Sequence, residues 1–340
     1  MKLGLLTSGG DCPGLNAAIR AVVRTANNRF GYETVGIRNG WKGLHDGDII
    51  PLPPKSVAGI LARGGTILGT SRFNPVHDQA TLAHCLENIA LHNIDGIIVI
   101  GGDGSLSAGH ELAKHGSKII GIPKTIDNDI QGTDATFGFY TAVQGVTNAI
   151  DSLHATAESH HRIMIIETMG RNSGWIAVTA GIAGGADMIL IPEKPFNWDK
   201  LCRQLVTRHE TKRFSIVVVA EGAKAEGEDI VTLGDLDNFG RPRYGGVGYV
   251  VAREIEQRTG IATRVTVLGH VQRSGTPVAE DRLLATRMGV CAVEAASRGQ
   301  FGHFIALRDG HLGPVSLDEM KGKTRYVDDR TYEIAEIFFG

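Results

Sequence analysis

The order of apolar patterns along the 340-residue chain predicts an α/β fold with mainly parallel sheets and helices on both faces. Short β-rich apolar runs alternate with longer segments of 3.6-residue periodicity. The runs, at 3–6, 34–37, 96–100, 118–122, 163–166, 188–191, 216–219 and 265–268, are nearly continuous, which suits strands covered on both faces. Several end in polar, glycine-rich or acidic residues, where open α/β sheets hold their ligands. The intervening periodicity predicts helices over about 14–28, 78–92, 105–115, 136–156, 174–184, 198–209, 245–258 and 279–297. The glycine-rich, charged stretch Glu221 to Tyr244 reads as an exposed insertion containing a hairpin.

Composition places the chain among globular proteins with large cores, at 42% apolar and 21% charged residues. A net charge of −2 with interspersed signs provides no basic surface for nucleic acid, so small molecules are the expected partners. Cys12, Cys85, Cys202 and Cys291 have no paired spacing, which points to structural thiols in a reducing compartment. The first apolar run is too short for a signal peptide and no stretch approaches a membrane span, so a cytoplasmic protein is expected.

Three loops can carry chemistry. Ser8-Gly9-Gly10-Asp11-Cys12-Pro13-Gly14 follows the first strand and precedes a helix; its exposed N–H groups suit a phosphate, and it equally suits a tight turn capped by Asp11. Gly101-Gly102-Asp103-Gly104-Ser105 repeats the arrangement after the most apolar early strand. Its glycines admit a polyphosphate while Asp103 can bind Mg²⁺, the alternative being a cap at Asp103 or Ser105. In Thr125-Ile126-Asp127-Asn128-Asp129 two carboxylates two residues apart in an extended segment would share one side, one accepting a hydroxyl proton and the other ordering metal or substrate. An Asx-rich turn is the alternative. Lys124 can stabilise a transferring phosphoryl group or lie on the surface.

Phosphoryl transfer needs cations near the phosphate oxygens, and Arg72, Arg162, Arg171, Arg264 and Arg273 all fall at loops or at the ends of apolar segments. His270, before Arg273, is a candidate substrate contact, whereas Trp175 suits core packing. His160 and His161 are adjacent and cannot readily chelate one ion, which argues against zinc.

Taken together, Gly4 to Ala17, Gly101 to Ser105, Pro123 to Asp129, Met169-Gly170-Arg171 and Leu268 to Arg273 resemble the 6-phosphofructokinase family, in order and over most of the chain. The resemblance implies two Rossmann-like domains. The larger, donor-binding one would take residues 1–137 and about 252–305, and the smaller, sugar-phosphate-binding one about 138–251 and 306–340. It implies Mg²⁺-dependent transfer from ATP to the 1-hydroxyl of fructose 6-phosphate in glycolysis, by a homotetramer or homodimer with shared sites. Asp127 then looks like the base, with Thr125, Asp129 and Arg171 as its catalytic neighbours, and Asp103 looks like the metal ligand. Gly10, Arg72, Phe73, Gly102, Asp103, Gly104 and Ser105 fall where the donor is held. Thr125, Asp127, Arg162, Met169, Gly170, Arg171, Glu221, Arg264, His270 and Arg273 fall at the sugar phosphate, with Arg162 and Arg264 supplied by a neighbouring subunit.

The resemblance pulls two ways on the donor. Glycine at position 104 accompanies ATP, because an aspartate there would occupy space and repel the α-phosphate, while Lys124 is the residue of the pyrophosphate-using branch. ATP is the expected donor and pyrophosphate the competing one. Arg20 and Arg24 match positions that bind effector phosphates in allosteric relatives and Asp187 replaces a glutamate that helps bind metal there, whereas Pro54, Gly59 and His154 stand where arginine, aspartate and arginine would be expected. A kinase for another sugar phosphate such as sedoheptulose 7-phosphate, or a non-catalytic nucleotide sensor, is the further competitor. A dehydrogenase reading lacks G-x-G-x-x-G after the first strand.

Overall fold

Strand β1 (Lys2–Ser8) is buried from Leu3 through Ser8, as an apolar run between two helical layers must be. The chain continues through α1 (Leu15–Phe30), β2 (Glu33–Ile37), α2 (Trp41–Asp46), β3 (Ile49–Pro51), α3 (Gln79–Leu91), β4 (Gly96–Gly101), α4 (Asp103–Lys114) and β5 (Ile119–Pro123). There follow α5 (Phe139–His160), β6 (Ile163–Thr168), α6 (Trp175–Ala183), β7 (Met188–Leu190), α7 (Trp198–Lys212), β8 (Ser215–Ala220), β9 (Thr232–Leu236) and β10 (Pro242–Tyr244). The last elements are α8 (Val247–Thr259), β11 (Thr263–Val267), α9 (Ala279–Ser297), β12 (His303–Arg308), β13 (His311–Ser316) and α10 (Asp329–Glu336). This computed structural model describes residues 1–236, 242–320 and 322–340.

Two compact units result. The first comprises Met1–Ile126, Ile130–Thr141 and Arg273–Thr324; the second comprises Asp127–Asp129, Ala142–Gln272 and Arg325–Gly340. In the first unit one sheet runs in the order β13-β12-β5-β4-β1-β2-β3, parallel from β12 to β2 and closed at each edge by an antiparallel strand. Leu6, Trp41, Val99, Leu106 and Phe304 belong to its core. In the second unit the sheet β11-β6-β8-β7 is parallel throughout, and Ile163, Ile165, Val217 and Val219 on its strands form a core with Val251 and Ile255 of α8.

The eight expected strands and eight expected helices all form, with ends displaced by a few residues; the largest shift is in α5, expected over 136–156. The expected hairpin in the insertion is β9 paired antiparallel with β10, while 237–241 of that stretch lie outside the described residues. Elements without a strong local signal are β3, α2, β12, β13 and α10. Strand β13 carries Gly313 and Pro314 in a half-buried edge, where a missing N–H is tolerated, and α10 buries only Tyr332 and Ala335.

One buried acid anchors the start of α5. Asp281, in the first turn of α9, is fully buried and accepts from the Gly138 and Thr141 amides at 2.8 and 2.7 Å and from the Thr141 hydroxyl at 2.6 Å. It thereby satisfies N–H groups that a helix leaves open at its first turn. Burial nevertheless raises its pKa, against the pull of those hydrogen bonds. Asp281→Ala would strand these donors, and a loss of about 2–4 kcal/mol in stability is expected by chemical denaturation. Asp281→Asn, which keeps one acceptor, should lose less.

Among the described residues no helix is long and apolar enough to cross a membrane.

Candidate active site

Strand β1 lies between β2 and β4, so the chain runs to one side of β1 first and to the other later. At such a reversal the loops leaving the strand ends part and open a crevice. Ser8 at the end of β1 pairs with Gly101 at the end of β4, which sets the two glycine loops side by side. They touch closely: a Cβ on Gly9 would lie 3.3 Å from Ser105 Oγ. Gly14 and Gly102 occupy the cap positions of α1 and α4, so Asp11, Asp103 and Ser105 do not cap these helices. Asp103 is instead the first residue of α4, half-buried, with Ser107 Oγ 3.4 Å from its Oδ1.

A carboxylate there, beside a helix N-terminus that attracts phosphate, fits Mg²⁺ shared with donor oxygens and water. The described residues contain no cluster of three His, Cys, Asp or Glu that could cage a metal, so Asp103 would lend a single ligand. Gly104 is exposed and a Cβ on it would meet nothing within 4 Å.

Lys124 is buried, not a surface lysine, and its ammonium donates to the Gly10 carbonyl. Arg273 approaches the same loop: Nη1 donates to the Asp11 carbonyl at 3.2 Å and would lie 2.7 Å from a Cβ on Gly10. Gly10 is therefore needed for the guanidinium to sit where it does. Thr125 is buried, with its carbonyl taken by the Thr136 hydroxyl at 2.7 Å. Arg72 is exposed, while Phe73 is half-buried, packs on the first unit's core and lies 5.2 Å from the His45 ring. Cys12, in the first loop, is buried; its thiol lies 3.6 Å from the Phe137 carbonyl, and burial pushes its pKa up to about 12, so it stays protonated. All four cysteines are free thiols.

In the second unit, Asp127, Asn128 and Asp129 form a turn rather than the extended segment expected from sequence. Asn128 adopts φ 53°, which asparagine tolerates better than most residues, so alternation along a strand does not set the two carboxylates. Asp127 is buried and its carbonyl accepts from Ser173 Oγ at 3.2 Å. The loop after β6 holds Met169, Gly170 and Arg171. Gly170 has φ 144° and a Cβ on it would lie 2.4 Å from the Ser173 carbonyl, so only glycine fits. Gln272, missed in the sequence, accepts from the Met169 amide at 3.3 Å. His270 is exposed in the short 3₁₀ turn Gly269–Arg273 that follows β11.

Glu221, at the end of β8, accepts from the Arg171 amide at 2.9 Å and the Gly170 amide at 3.3 Å, and so also shapes the loop it was expected to join in binding sugar. Burial pushes its carboxyl from 4.5 up to about 7; these N–H groups and the Arg171 charge oppose the shift and Asp127 adds to it. Between those values the folded chain keeps a proton that the unfolded chain has lost, so this contribution to stability declines as pH rises through the interval. Glu221→Gln should remove that slope: from about pH 5 to about pH 7.5 the parent's Tm should fall relative to the variant's.

Arg162 and Arg264 fall elsewhere. Arg162 precedes β6 and Arg264 is the second residue of the edge strand β11, paired with Met164 near the start of β6. Met169 and Gly170 follow the other end of β6. At ~3.3 Å per residue, the six residues of β6 separate the two sets by roughly 20 Å within one copy. Other polar strand ends serve the scaffold. Glu167 accepts from the Gly246 and Gly248 amides at 3.0 and 2.8 Å, at the start of α8. Asp187, just before β7, pairs with Arg208 at 2.6 Å and accepts from the Ile216 amide at 2.8 Å. A cavity of about 420 Å³ in this unit, bordered by Lys194, Phe196, Lys200, Tyr332 and Glu336, contains none of the expected site residues.

Paired glycine loops at the carboxyl ends of adjacent parallel strands, a carboxylate opening a helix and a buried lysine reaching the first loop together fit an α/β phosphotransferase. The phosphofructokinase family profile matches residues 2–296. A pyrophosphate–fructose 6-phosphate 1-phosphotransferase of Streptomyces coelicolor is 48% identical over 342 residues, with both chains covered completely. An ATP-dependent 6-phosphofructokinase of Mycobacterium bovis is also 48% identical, over 343 residues and all of both chains. Among solved structures, phosphofructokinase of Pichia pastoris in the T-state superposes with a TM-score of 0.85 at 33% identity, over 99% of this chain and 36% of that longer one. This chain belongs to the phosphofructokinase family.

Proposed function

We propose that the protein is a 6-phosphofructokinase that transfers the γ-phosphoryl group of Mg-ATP to the 1-hydroxyl of fructose 6-phosphate. Asp127 accepts the hydroxyl proton as the oxygen attacks, and Thr125 and Asp129 flank it in the chain. The donor lies on Gly10, Arg72, Phe73 and Gly102 to Ser105, its phosphates meeting the N-terminus of α4. Asp103 would hold Mg²⁺, which would supply neutralisation of charge on the donor phosphates. Arg171 faces charge developing on the transferred group, and Met169, Gly170, Glu221, His270 and Arg273 hold the sugar phosphate.

Arg162 and Arg264 act on a neighbouring copy's substrate in a homotetramer or homodimer. Their place at the far end of β6 supports this reading, as does the exposure of Val267 (44%) and Val271 (70%) on and just beyond β11. We place the enzyme in the cytoplasm.

The observation that carries the choice of ATP is the open space at Gly104, which admits an α-phosphate beside the start of α4. Pyrophosphate is the second reading and rests on Lys124, whose buried ammonium reaches the Gly10 loop. Relatives of both kinds are equally similar, so identity does not choose between them. Assaying fructose 6-phosphate with Mg-ATP and with Mg-pyrophosphate in parallel tests the proposal. A larger kcat/KM with ATP is expected, and a much larger one with pyrophosphate would overturn it.

A further inference from the structure

Three successive backbone carbonyls of the Asp127 turn are each caught by a hydrogen-bond donor. Asp127 O accepts from Ser173 Oγ at 3.2 Å, Asn128 O from Arg325 Nη1 at 3.2 Å, and Asp129 O from the Arg325 amide at 2.8 Å. Arg325 supplies two of the three donors from a position 197 residues away.

Arg325 is itself held. Its guanidinium lies 4.0 Å from the centroid of the Trp175 ring, and its carbonyl accepts from Trp175 Nε1 at 3.0 Å. Trp175 is buried and Arg325 half-buried, so the stack is partly shielded from water, which strengthens a cation over an indole. Two residues on, the Val327 amide donates to Glu193 Oε1 at 3.0 Å, and the same oxygen accepts from the Gly174 amide at 2.9 Å. The segments 173–175 and 325–327 are thus fastened to each other at two points, and both grip the turn.

We infer that Arg325, seated on Trp175, is a positioning residue for phosphoryl transfer, fixing the Asp127 turn by its backbone. The inference rests on the reading of Asp127 as the base. A carboxylate two bonds from its backbone cannot be aimed unless that backbone is fixed, and Asn128, at positive φ, gives the turn no regular secondary structure to fix it. Hydrogen bonds from a guanidinium to carbonyls are charge-assisted and hold direction as well as distance. A misplacement of about 1 Å at a reacting group costs on the order of 10²-fold in rate. Arg325 touches neither the proton nor the phosphate in this scheme, so its loss should appear in kcat and leave substrate binding intact.

The test compares Arg325→Met, Arg325→Lys, Trp175→Phe and Asp127→Asn in the full-length enzyme under steady-state turnover with fructose 6-phosphate and the preferred donor. Arg325→Met is expected to lower kcat by roughly 10- to 100-fold, with KM for both substrates within about threefold of the parent. Both variants keep the backbone amide that donates to Asp129, but Arg325→Lys also keeps a charged side-chain donor and should recover part of that loss. Trp175→Phe keeps a ring under the guanidinium but removes the Nε1 bond, and should fall between parent and Arg325→Met. If kcat of Arg325→Met stays within about twofold of the parent while Asp127→Asn is inactive, the inference fails and the base assignment stands. Should Asp127→Asn turn over normally, both fall together. Loss in KM rather than kcat, or an Arg325→Lys enzyme as poor as Arg325→Met, would likewise refute positioning by the guanidinium. Arg325→Lys and Trp175→Phe keep the question answerable if Arg325→Met does not fold.

Discussion

Asp127→Asn is expected to lower kcat by on the order of 10²- to 10⁴-fold while leaving KM for fructose 6-phosphate within a few-fold of the parent. The amide keeps the size and most of the polarity of the carboxylate but cannot take a proton from the attacking hydroxyl. The change should not disturb the fold, because the Asp127 backbone carbonyl, which accepts from Ser173, is untouched. Single-turnover kinetics with enzyme in excess would place the loss in the chemical step. A variant retaining more than a tenth of the parent rate would move the base to another residue, with Asp129 the next to examine.

The second large effect is expected at Gly104. A side chain there would meet no atom within 4 Å, so aspartate can enter the first turn of α4 without displacing the protein, and an acid near a helix N-terminus is electrostatically welcome. The donor is what the new charge opposes. Two like charges about 4 Å apart interact by about 4 kcal/mol at an effective dielectric constant near 20. Gly104→Asp should therefore reduce kcat/KM with Mg-ATP by at least ~10²-fold and leave Tm within about 2 °C of the parent. Pyrophosphate has no α-phosphate in that place, so any activity with it should be spared or should rise. Equal losses with both donors would show that the residue acts on the loop and not on donor choice.

Much of the scaffold was legible because it depends on local signals. An apolar run closed by Gly101-Gly102-Asp103 announces a strand ending in a loop, and every such strand formed, as did the helices between them. What escaped were elements held by context: β13, with its glycine and proline, is a strand because β12 pairs with it, and α10 is a helix around two buried side chains. The loops that could bind phosphate were legible on the same grounds, since glycine and aspartate clusters at strand ends have few other uses. The groups that shape those loops were not. Asp281 looks like an ordinary first-turn acid of α9, yet it is buried at the start of α5. Lys124 was equally consistent with a surface position, and nothing near Arg325 in sequence points to Asn128. The notion of an extended Asp127 to Asp129 segment failed because the carbonyl partners that bend it lie far away in the chain.

By itself, the sequence determined a parallel α/β protein with polar loops at its strand ends and, through the combination of those loops, membership of a phosphotransferase family. Periodicity and glycine placement act within a few residues and survive without knowledge of the fold. Only the tertiary structure decided which loops lie side by side, because strand order sets β1 against β4 across some 90 positions of chain. It also decided that Arg162 and Arg264 stand at the far end of β6 from Met169 and Gly170, since a strand's length separates what sequence numbers make look near. Likewise it revealed the grip of Arg325 on the Asp127 turn, a contact created by packing and written nowhere in the local pattern.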